Sequence, residues 1–340
     1  MKNNIKAIVV FILILIMPIA GFAVSKVGTT AANFLKVGVG ARAIGMGGAY
    51  VSLANDASAM YWNPAGIALI KGAEAFFNHN EWIADINFDY AGLVFTVPSL
   101  GAFGLNATFL SMGEMERTTE YYPEGTDQFY SAGSYALGVT FARSLTDRFS
   151  IGFNLKYINE YILNSSASGF AIDIGTVFVT QFKGLRIGAN ISNFGTKMQI
   201  GGRDVLVQHD IDQQQQGNND RINADLSTDK FDLPLNMQIG ISFDILQDVP
   251  HNQLWLSVDA MHPNDNVESI NIGGEYVFRN LLSLRGGYAA LGIEESEKGL
   301  TLGAGLKYTF IGNVTAKIDY AYESFGRFNN LQKISVSIGF

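Results

Sequence analysis

Apolar and polar residues alternate one by one through most of the chain from residue 72 onward. In one such segment Leu302 and Leu306 share a face, while Gly303 and Lys307 share the opposite face. Successive side chains of a β-strand point to opposite faces of the sheet. The alternation therefore predicts strands that have one apolar wall and one polar wall.

The alternation predicts fourteen segments, an even number as in bacterial outer-membrane barrels. They lie near 73–80, 86–97, 101–111, 134–143, 148–159, 169–180, 184–194, 233–245, 253–261, 268–278, 281–290, 299–310, 313–323 and 332–340. A soluble β-sandwich shows the same alternation, but segments of about ten residues suit strands that cross a membrane at a tilt. Tyr and Phe near many segment ends suit an interfacial aromatic girdle. We therefore predict an all-β fold, a transmembrane antiparallel β-barrel of about 14 strands over residues 72–340.

The connections between these segments are predicted to alternate in length, with short periplasmic turns and longer external loops. The short ones fall at 98–100, 144–147, 181–184, 279–280 and 311–312, and the longer ones at 112–133, 161–168, 195–232, 291–298 and 324–331. The pattern is weaker at 246–252 and 262–267. The apolar phase of the second segment slips near Ala91-Gly92, where we expect a β-bulge.

The first 23 residues have the organisation of a cleavable signal peptide. Lys2 and Lys6 precede an apolar run over residues 7–17, Pro18 ends that run, and small residues precede the predicted cleavage after Ala23. The alternative is a retained anchor helix, although the run is short for a membrane span. We expect export and residence in the cell outer membrane.

Composition narrows the function further. The net charge of −8 argues against nucleic acid as a partner, and the absence of Cys excludes disulfides and thiolate metal sites. The sequence contains neither an H-E-x-x-H zinc motif nor a G-x-S-x-G nucleophile elbow. A G-x-G-x-x-A run over residues 38–43 lacks the surrounding βαβ unit of a nucleotide site. We predict no catalytic residue, no cofactor and no metal, although a catalytic triad assembled from separate strands is the alternative.

Charged residues recur on the polar wall that would face the lumen. They are Lys156, Asp173, Arg186, Asp244, Asp259, Glu275, Arg285, Lys307, Lys317 and Asp319. Their mixed signs favour a salt-bridge network that fixes material inside the barrel. The alternative is that they line a route for a solute.

Residues 24–71 differ from the rest because they are rich in Gly and Ala and lack strand alternation. We expect this segment to fold inside the barrel as a plug or hatch, since a barrel this wide would otherwise have an open lumen. Asn63, Pro64, Ala65 and Gly66 are expected to hold it there. Asn-Pro is also a common turn opener, so a turn at the periplasmic rim is the alternative.

The end of the chain is an amphipathic segment in which Ile334, Val336, Ile338 and Phe340 face one way. A last strand that ends in Phe resembles the signal that the barrel-assembly machinery recognises. The alternative is an ordinary terminal strand with the same alternation.

Two stretches resemble a known family. The block Gly40–Tyr50, followed by Asn55–Ala59 and Trp62–Gly66, is similar to the PorV/PorQ family within the FadL-like group of outer-membrane barrels. The Asn-Pro-Ala triplet at 63–65 resembles the N-terminal hatch of FadL-like transporters. The motifs cover about forty residues, and the expected strand number extends the likeness along the chain.

The resemblance implies two functions. PorV proteins serve type IX secretion, where they carry cargo with a C-terminal β-domain from the translocon to an attachment complex. FadL-like proteins move hydrophobic small molecules across the outer membrane. We rank the secretion role first, because a lumen wall rich in charge suits an apolar solute poorly. Expected partners are outer-membrane lipid, the barrel-assembly machinery, and either the translocon with its cargo or hydrophobic solutes.

We predict that Phe340→Asp impairs insertion into the outer membrane, because the last strand carries the expected assembly signal and must also close the barrel against the first. Heat-modifiable barrel in outer-membrane fractions measures insertion. Normal accumulation of the Phe340→Asp barrel would refute the assembly-signal interpretation.

Overall fold

A computed structural model describes residues 27–182, 184–211, 214, 221–293, 296–310, 314–328 and 330–340. Fourteen long strands form the architecture. They are β1 Ala73–Glu81, β2 Asn87–Val97, β3 Gly101–Ser111, β4 Ala132–Ser144, β5 Phe149–Ile162, β6 Ser165–Val179, β7 Arg186–Gly195, β8 Asn236–Asp244, β9 Gln253–Pro263, β10 Ser269–Phe278, β11 Leu282–Leu291, β12 Lys298–Thr309, β13 Thr315–Phe325 and β14 Asn330–Gly339. The predicted signal peptide lies outside the described residues.

These strands close into a barrel. Each pairs antiparallel with the next in the chain, and β1 also pairs with β14, where Phe77 lies opposite Val336. The chain ends at this seam, since the Phe340 amide donates to the Ala73 carbonyl at 2.8 Å. The prediction of an all-β antiparallel barrel of fourteen strands is confirmed.

One predicted loop is wrong. Residues 161–168 were expected to form a longer external connection, but β5 and β6 continue through this stretch and pair up to Ile162 and Ser165. Only Leu163 and Asn164 connect the strands, and Leu163 adopts a left-handed backbone (φ 53°). Pairing with β5 satisfies the backbone groups of residues 165–169 as strand.

The predicted bulge in β2 is also wrong. The β1–β2 and β2–β3 ladders run through Ala91 and Gly92 without a register shift. The apolar phase only seemed to slip, because Phe88, Tyr90 and Val94 point into the lumen and are buried there. Irregular registers occur instead between β6 and β7, between β10 and β11, and between β12 and β13.

The two walls of the sheet differ as the alternation predicts. Ile241, Leu302 and Ile318 point outward and expose 49%, 50% and 56% of their surface in the isolated barrel. Ser242 faces inward and is buried. An apolar outer wall is the surface that contacts lipid. Within the described ranges, no helix combines the length and the apolar character that crossing a membrane requires.

The chain before β1 lies inside the barrel, and we call residues 30–70 the inner segment. It begins near the β7–β8 connection, where the Ala31 amide donates to the Asp232 carbonyl at 2.9 Å, and it leads at the other end into β1. It contains two short α-helices and two 3₁₀-helices. These are Ala41–Gly45 and Ala59–Trp62, and Asn33–Lys36 and Pro64–Leu69.

The remaining elements lie in the connections. Three further 3₁₀-turns are Ile83–Asp85, Arg203–Val205 and Gly326–Phe328. Three small hairpins pair Met115–Glu116 with Phe129–Tyr130, Met198–Gln199 with Lys230–Phe231, and Leu206–His209 with Ile222–Asp225. Gly201–Gly202 adds a short strand to β6. The end of the barrel that carries the long connections 112–131 and 196–235 is the external end by the rule that periplasmic turns are short.

We predict different costs for a cation on the two walls of β8. Ile239 points outward, so Ile239→Arg at mid-strand should lower the free energy of unfolding in bilayers by about 2–4 kcal/mol. The adjacent Gln238 faces inward and borders the cavity at the external end of the lumen, so Gln238→Arg should cost much less. Denaturant titration in liposomes measures both variants, and equal costs would contradict the assignment of the walls.

Candidate functional site

The inner segment has its own apolar core. Tyr50, Met60 and Trp62 are buried in it, and the Tyr50 and Trp62 rings meet edge to face with centroids 6.2 Å apart. The core continues into Phe88 and Tyr90 on the inward face of β2. Apolar side chains on the lumen wall thus cover the apolar side of the inner segment, which explains why β2 has apolar residues on both faces.

Asn63 fastens the inner segment to the wall at β6. Its side chain is fully buried, and its Nδ2 donates to the Val51 carbonyl at 2.8 Å and to the Thr176 carbonyl of β6 at 3.0 Å. Its Oδ1 accepts from the Ala65 amide at 3.2 Å, and Pro64 begins the 3₁₀-helix that follows. Pro suits this position because its missing N–H would have no partner in the first turn. Ala65 and Gly66 are buried beside the wall.

Glycines on the lumen wall allow this close approach. At eight wall glycines an added Cβ would lie under 3.0 Å from the inner segment. They are Gly92, Gly104, Gly152, Gly175, Gly188, Gly240, Gly273 and Gly287. Gly152 and Gly175 lie against Asn63 and Pro64, so a side chain at either would push that turn off the wall. The glycine content of the polar wall therefore reflects contact with the inner segment.

A buried ionic cluster joins the inner segment to β10 and β11. Arg42 donates to both carboxylate oxygens of Glu275, from Nε at 3.0 Å and from a terminal nitrogen at 2.8 Å. Arg285 donates to Glu275 at 2.7 Å and to Asp319 at 2.6 Å. Two-point pairing of Arg with a carboxylate fixes geometry as well as charge. The cluster therefore sets the position of the helix Ala41–Gly45 in the lumen.

Two further carboxylates accept hydrogen bonds from the backbone of the inner segment. Asp259 on β9 is buried and accepts from the amides of Tyr50 and Val51, both at 2.8 Å. Glu74 on β1 accepts from the Ala57 amide at 3.1 Å and pairs with Lys317 at 3.2 Å. Both carboxylates satisfy amides that have no partner within the short helices and turns.

Other predicted lumen charges have different surroundings. Lys156 pairs with Asp173 at 2.8 Å across β5 and β6 and also donates to Asn193. Arg186 stacks on Trp255 with 4.5 Å between the guanidinium and the ring centroid. Asp244 accepts from the Leu246 amide of the β8–β9 connection and from the Leu254 amide of β9, and Lys307 is exposed near the end of β12. The ten predicted charges therefore form several separate groups along the wall.

Sequence reasoning missed several contacts. Lys333 on β14 is almost fully buried, pairs with Glu323 at 3.3 Å and donates to the Gly38 carbonyl at 3.2 Å. At the external end, Asp265 accepts from Thr30 at 2.7 Å and from Lys36 at 2.6 Å. Lys333 lay on the polar face of its strand, which was the available signal. Asp265 lies in a connection, where alternation carries no information.

Within the inner segment, Asp56 is held ionised. Burial raises the pKa of its carboxyl, but the nearby charge of Arg42, together with Lys317, Ser58 and Tyr50, outweighs burial and leaves the pKa below its ordinary value. Its contribution to stability is therefore present above the ordinary pKa of Asp and is lost as the pH falls through the lowered value.

Above the inner segment, the external end of the lumen is an open cavity of about 2150 Å³. Its floor includes Phe34, Tyr61 and Trp62, while Lys36 and Glu160 bring charge to its sides. Among the described residues, no group of three or more His, Asp or Glu side chains is arranged to hold a metal ion.

Comparisons with solved structures identify the architecture. The model aligns with the monoaromatic hydrocarbon channel CymD (14% identity, 89% of this chain and 98% of that one, TM-score 0.55). It aligns with a Pseudomonas aeruginosa FadL homologue (13%, 89% and 98%, 0.53) and with the Pseudomonas putida toluene transporter TodX (12%, 88% and 97%, 0.55). At these identities the likeness shows the fold.

The family is shown by sequence. No curated protein matches the chain. A family model described as type IX secretion system protein PorV matches residues 22–205, more than half of the chain. The resemblance to PorV proteins that the N-terminal block indicated is confirmed. The chain belongs to the PorV family of outer-membrane barrels associated with type IX secretion.

Proposed function

We propose that this barrel is a secretion accessory that binds cargo or partner proteins through its external connections, while the inner segment keeps the lumen closed. In this proposal residues 24–71 act as the hatch, residues 72–340 form the barrel, and a signal peptide is cleaved after Ala23. The barrel-assembly machinery inserts the chain, with Ile334, Val336, Ile338 and Phe340 as the assembly signal. The role involves no catalysis.

The proposal that the lumen is closed is supported by the hydrogen bonds that surround the inner segment. Wall side chains bind its backbone from opposite sides of the barrel, at Asn78, Asn154 and Asp259. Ser335 on β14 and Thr301 on β12 add further bonds at 3.2 Å. Because the inner segment is bonded to the wall on all sides, it would keep the lumen closed. A protein partner would then bind at the external end of the barrel.

The β3–β4 connection offers a candidate binding surface at that end. Tyr121 and Tyr122 expose 88% and 65% of their surface at its tip. The small hairpin Met115–Glu116 with Phe129–Tyr130 and a bond from the Arg117 amide to the Gln128 carbonyl at 2.8 Å support this tip. Tyr is enriched among the residues that dominate protein interfaces. A loop that presents two exposed Tyr side chains suits protein binding.

A second function is uptake of hydrophobic solutes, and the external cavity favours it. Its aromatic floor suits an apolar molecule, and several barrels of the same fold are described as hydrocarbon channels or transporters. The charges around the cavity and the bonded inner segment count against this function. Loss of long-chain lipid uptake on deletion of the gene, with secretion intact, would favour it over the secretion role.

We predict that Tyr121→Ser combined with Tyr122→Ser reduces co-purification of the type IX translocon and cargo from mild detergent by at least tenfold, because removing two interface anchors costs on the order of 2 kcal/mol or more. Quantitative mass spectrometry of the purified complexes measures the change. Tyr308→Ser, at the opposite end of the barrel, is the matched control. Unchanged recovery with the double variant would contradict the role of this loop.

We predict that deletion of residues 31–70 leaves a folded barrel with large, steady ion currents in planar bilayers, because the deletion removes the material that fills the lumen. Heat-modifiable migration confirms folding before recording. Gly175→Leu, which displaces Asn63 without removing the segment, should give smaller and intermittent currents. A folded deletion variant that passes no ion current would contradict the proposal that this segment is a hatch.

A further inference from the structure

Unpartnered polar atoms concentrate in one sector of the lumen. Among the described residues, buried side-chain atoms without a hydrogen-bond partner include both polar atoms of the Asn190 amide, the hydroxyls of Ser52 and Ser242, Nε of Arg186 and Oδ1 of Asn236. These six atoms lie on the inward faces of β7 and β8 or on the part of the inner segment that contacts those two strands. The other three such atoms among the described residues, Nδ2 of Asn78, the Tyr90 hydroxyl and Oδ1 of Asp265, lie elsewhere.

The strand register arranges these residues as a column. Asn190 lies opposite Gln238, Gly188 opposite Gly240, and Arg186 opposite Ser242. Gln238 and Asn236 line the external cavity, whereas Arg186 and Ser242 lie towards the end with the short turns. The column therefore follows the lumen wall from the cavity to the periplasmic end.

Hydration would satisfy the unpartnered groups of this column. A buried polar group that loses water without gaining a partner lowers the free energy of unfolding by about 1–3 kcal/mol. Several adjacent groups of this kind would therefore destabilise the fold strongly. Water satisfies such groups where the site is polar and spacious enough. Side chains on β4 and β5 differ, since Thr140 and Asn154 bond each other at 3.0 Å and Asn154 bonds the Met60 carbonyl.

The column is interrupted at one level. An added Cβ at Gly188 or Gly240 would lie under 3.0 Å from Val51, so the inner segment touches the wall there. The turn at Tyr50 and Val51 is held against the wall by the two bonds to Asp259. Polar, unpartnered side chains lie on both sides of this contact.

We propose that the β7–β8 column is an aqueous route for water and small ions past the inner segment, closed by Val51 and opened when the turn leaves Asp259. The route is separate from any passage for hydrophobic solutes or proteins. The charged groups along it are Arg186 and Asp244 at its inner end and Asp259 beside Gly240. Opening requires movement of one turn and leaves the remainder of the inner segment in place.

Hydration is tested by thiol labelling, which is direct because the chain has no Cys. Single-Cys variants Asn190→Cys, Ser242→Cys and Thr140→Cys are purified as folded barrels and treated with a small cationic methanethiosulfonate. The two column positions should react at least tenfold faster than Thr140→Cys, which is buried on β4 and has hydrogen-bond partners. Column positions as unreactive as Thr140→Cys would overturn the proposal.

Closure is tested by conductance in planar bilayers with KCl. Asp259→Ala should raise the open probability at least tenfold over the unmodified barrel, and reagent modification of Ser242→Cys in that background should reduce the current at least fivefold. Ile241→Cys, whose side chain points outward, is the matched control and should leave the current unchanged.

If Asp259→Ala does not fold, Val51→Gly removes the obstruction and leaves the carboxylate in place, with the same increase expected. A folded variant of either kind without added current would overturn the gate. Current that is insensitive to modification at Ser242→Cys would place the route elsewhere and equally overturn the proposal.

Discussion

The closed hydrogen-bond ladder between β1 and β14 is the constraint on which the rest of the structure depends. Backbone amides and carbonyls in a bilayer have no water to bind, so every edge must be paired. The chain meets this demand by joining Phe77 to Val336 and its neighbours along the seam. Closure at fourteen strands leaves an interior too wide for wall side chains to fill, and the inner segment occupies that space.

The inner segment constrains which residues the lumen wall can carry. Gly152 and Gly175 admit the Asn63-Pro64 turn, and Met46 packs where Gly273 and Gly287 leave room. The charges serve the same purpose, since Arg42 shares Glu275 with Arg285. Breaking one partner of such a buried group leaves uncompensated charge, which costs far more than the intact pair contributes. The network therefore selects one position of the inner segment.

Much of the barrel could be predicted from the sequence, because lipid outside and polar contacts inside produce strict alternation. The inner segment was harder to place, since its short helices and turns have no period and depend on wall residues distant in sequence. Prediction failed in β2 for the same reason, because Phe88 and Tyr90 face a protein core within the lumen. At residues 161–168, local composition suggested a loop, and pairing with β5 outweighed it.

The same wall chemistry bears on function. A passage built for apolar molecules would carry apolar side chains along its length, and the β2 sector does so only where the inner segment covers it. The β7–β8 sector is polar, and the Asn190 amide and the Ser242 hydroxyl have no protein partner there. The inner segment thus packs on β2 through an apolar core, whereas next to β7 and β8 its turn at Tyr50 and Val51 is held to the wall by hydrogen bonds to a single carboxylate, Asp259. A small number of directional bonds breaks at less cost than an extended apolar contact, so movement of the inner segment should begin on the polar side.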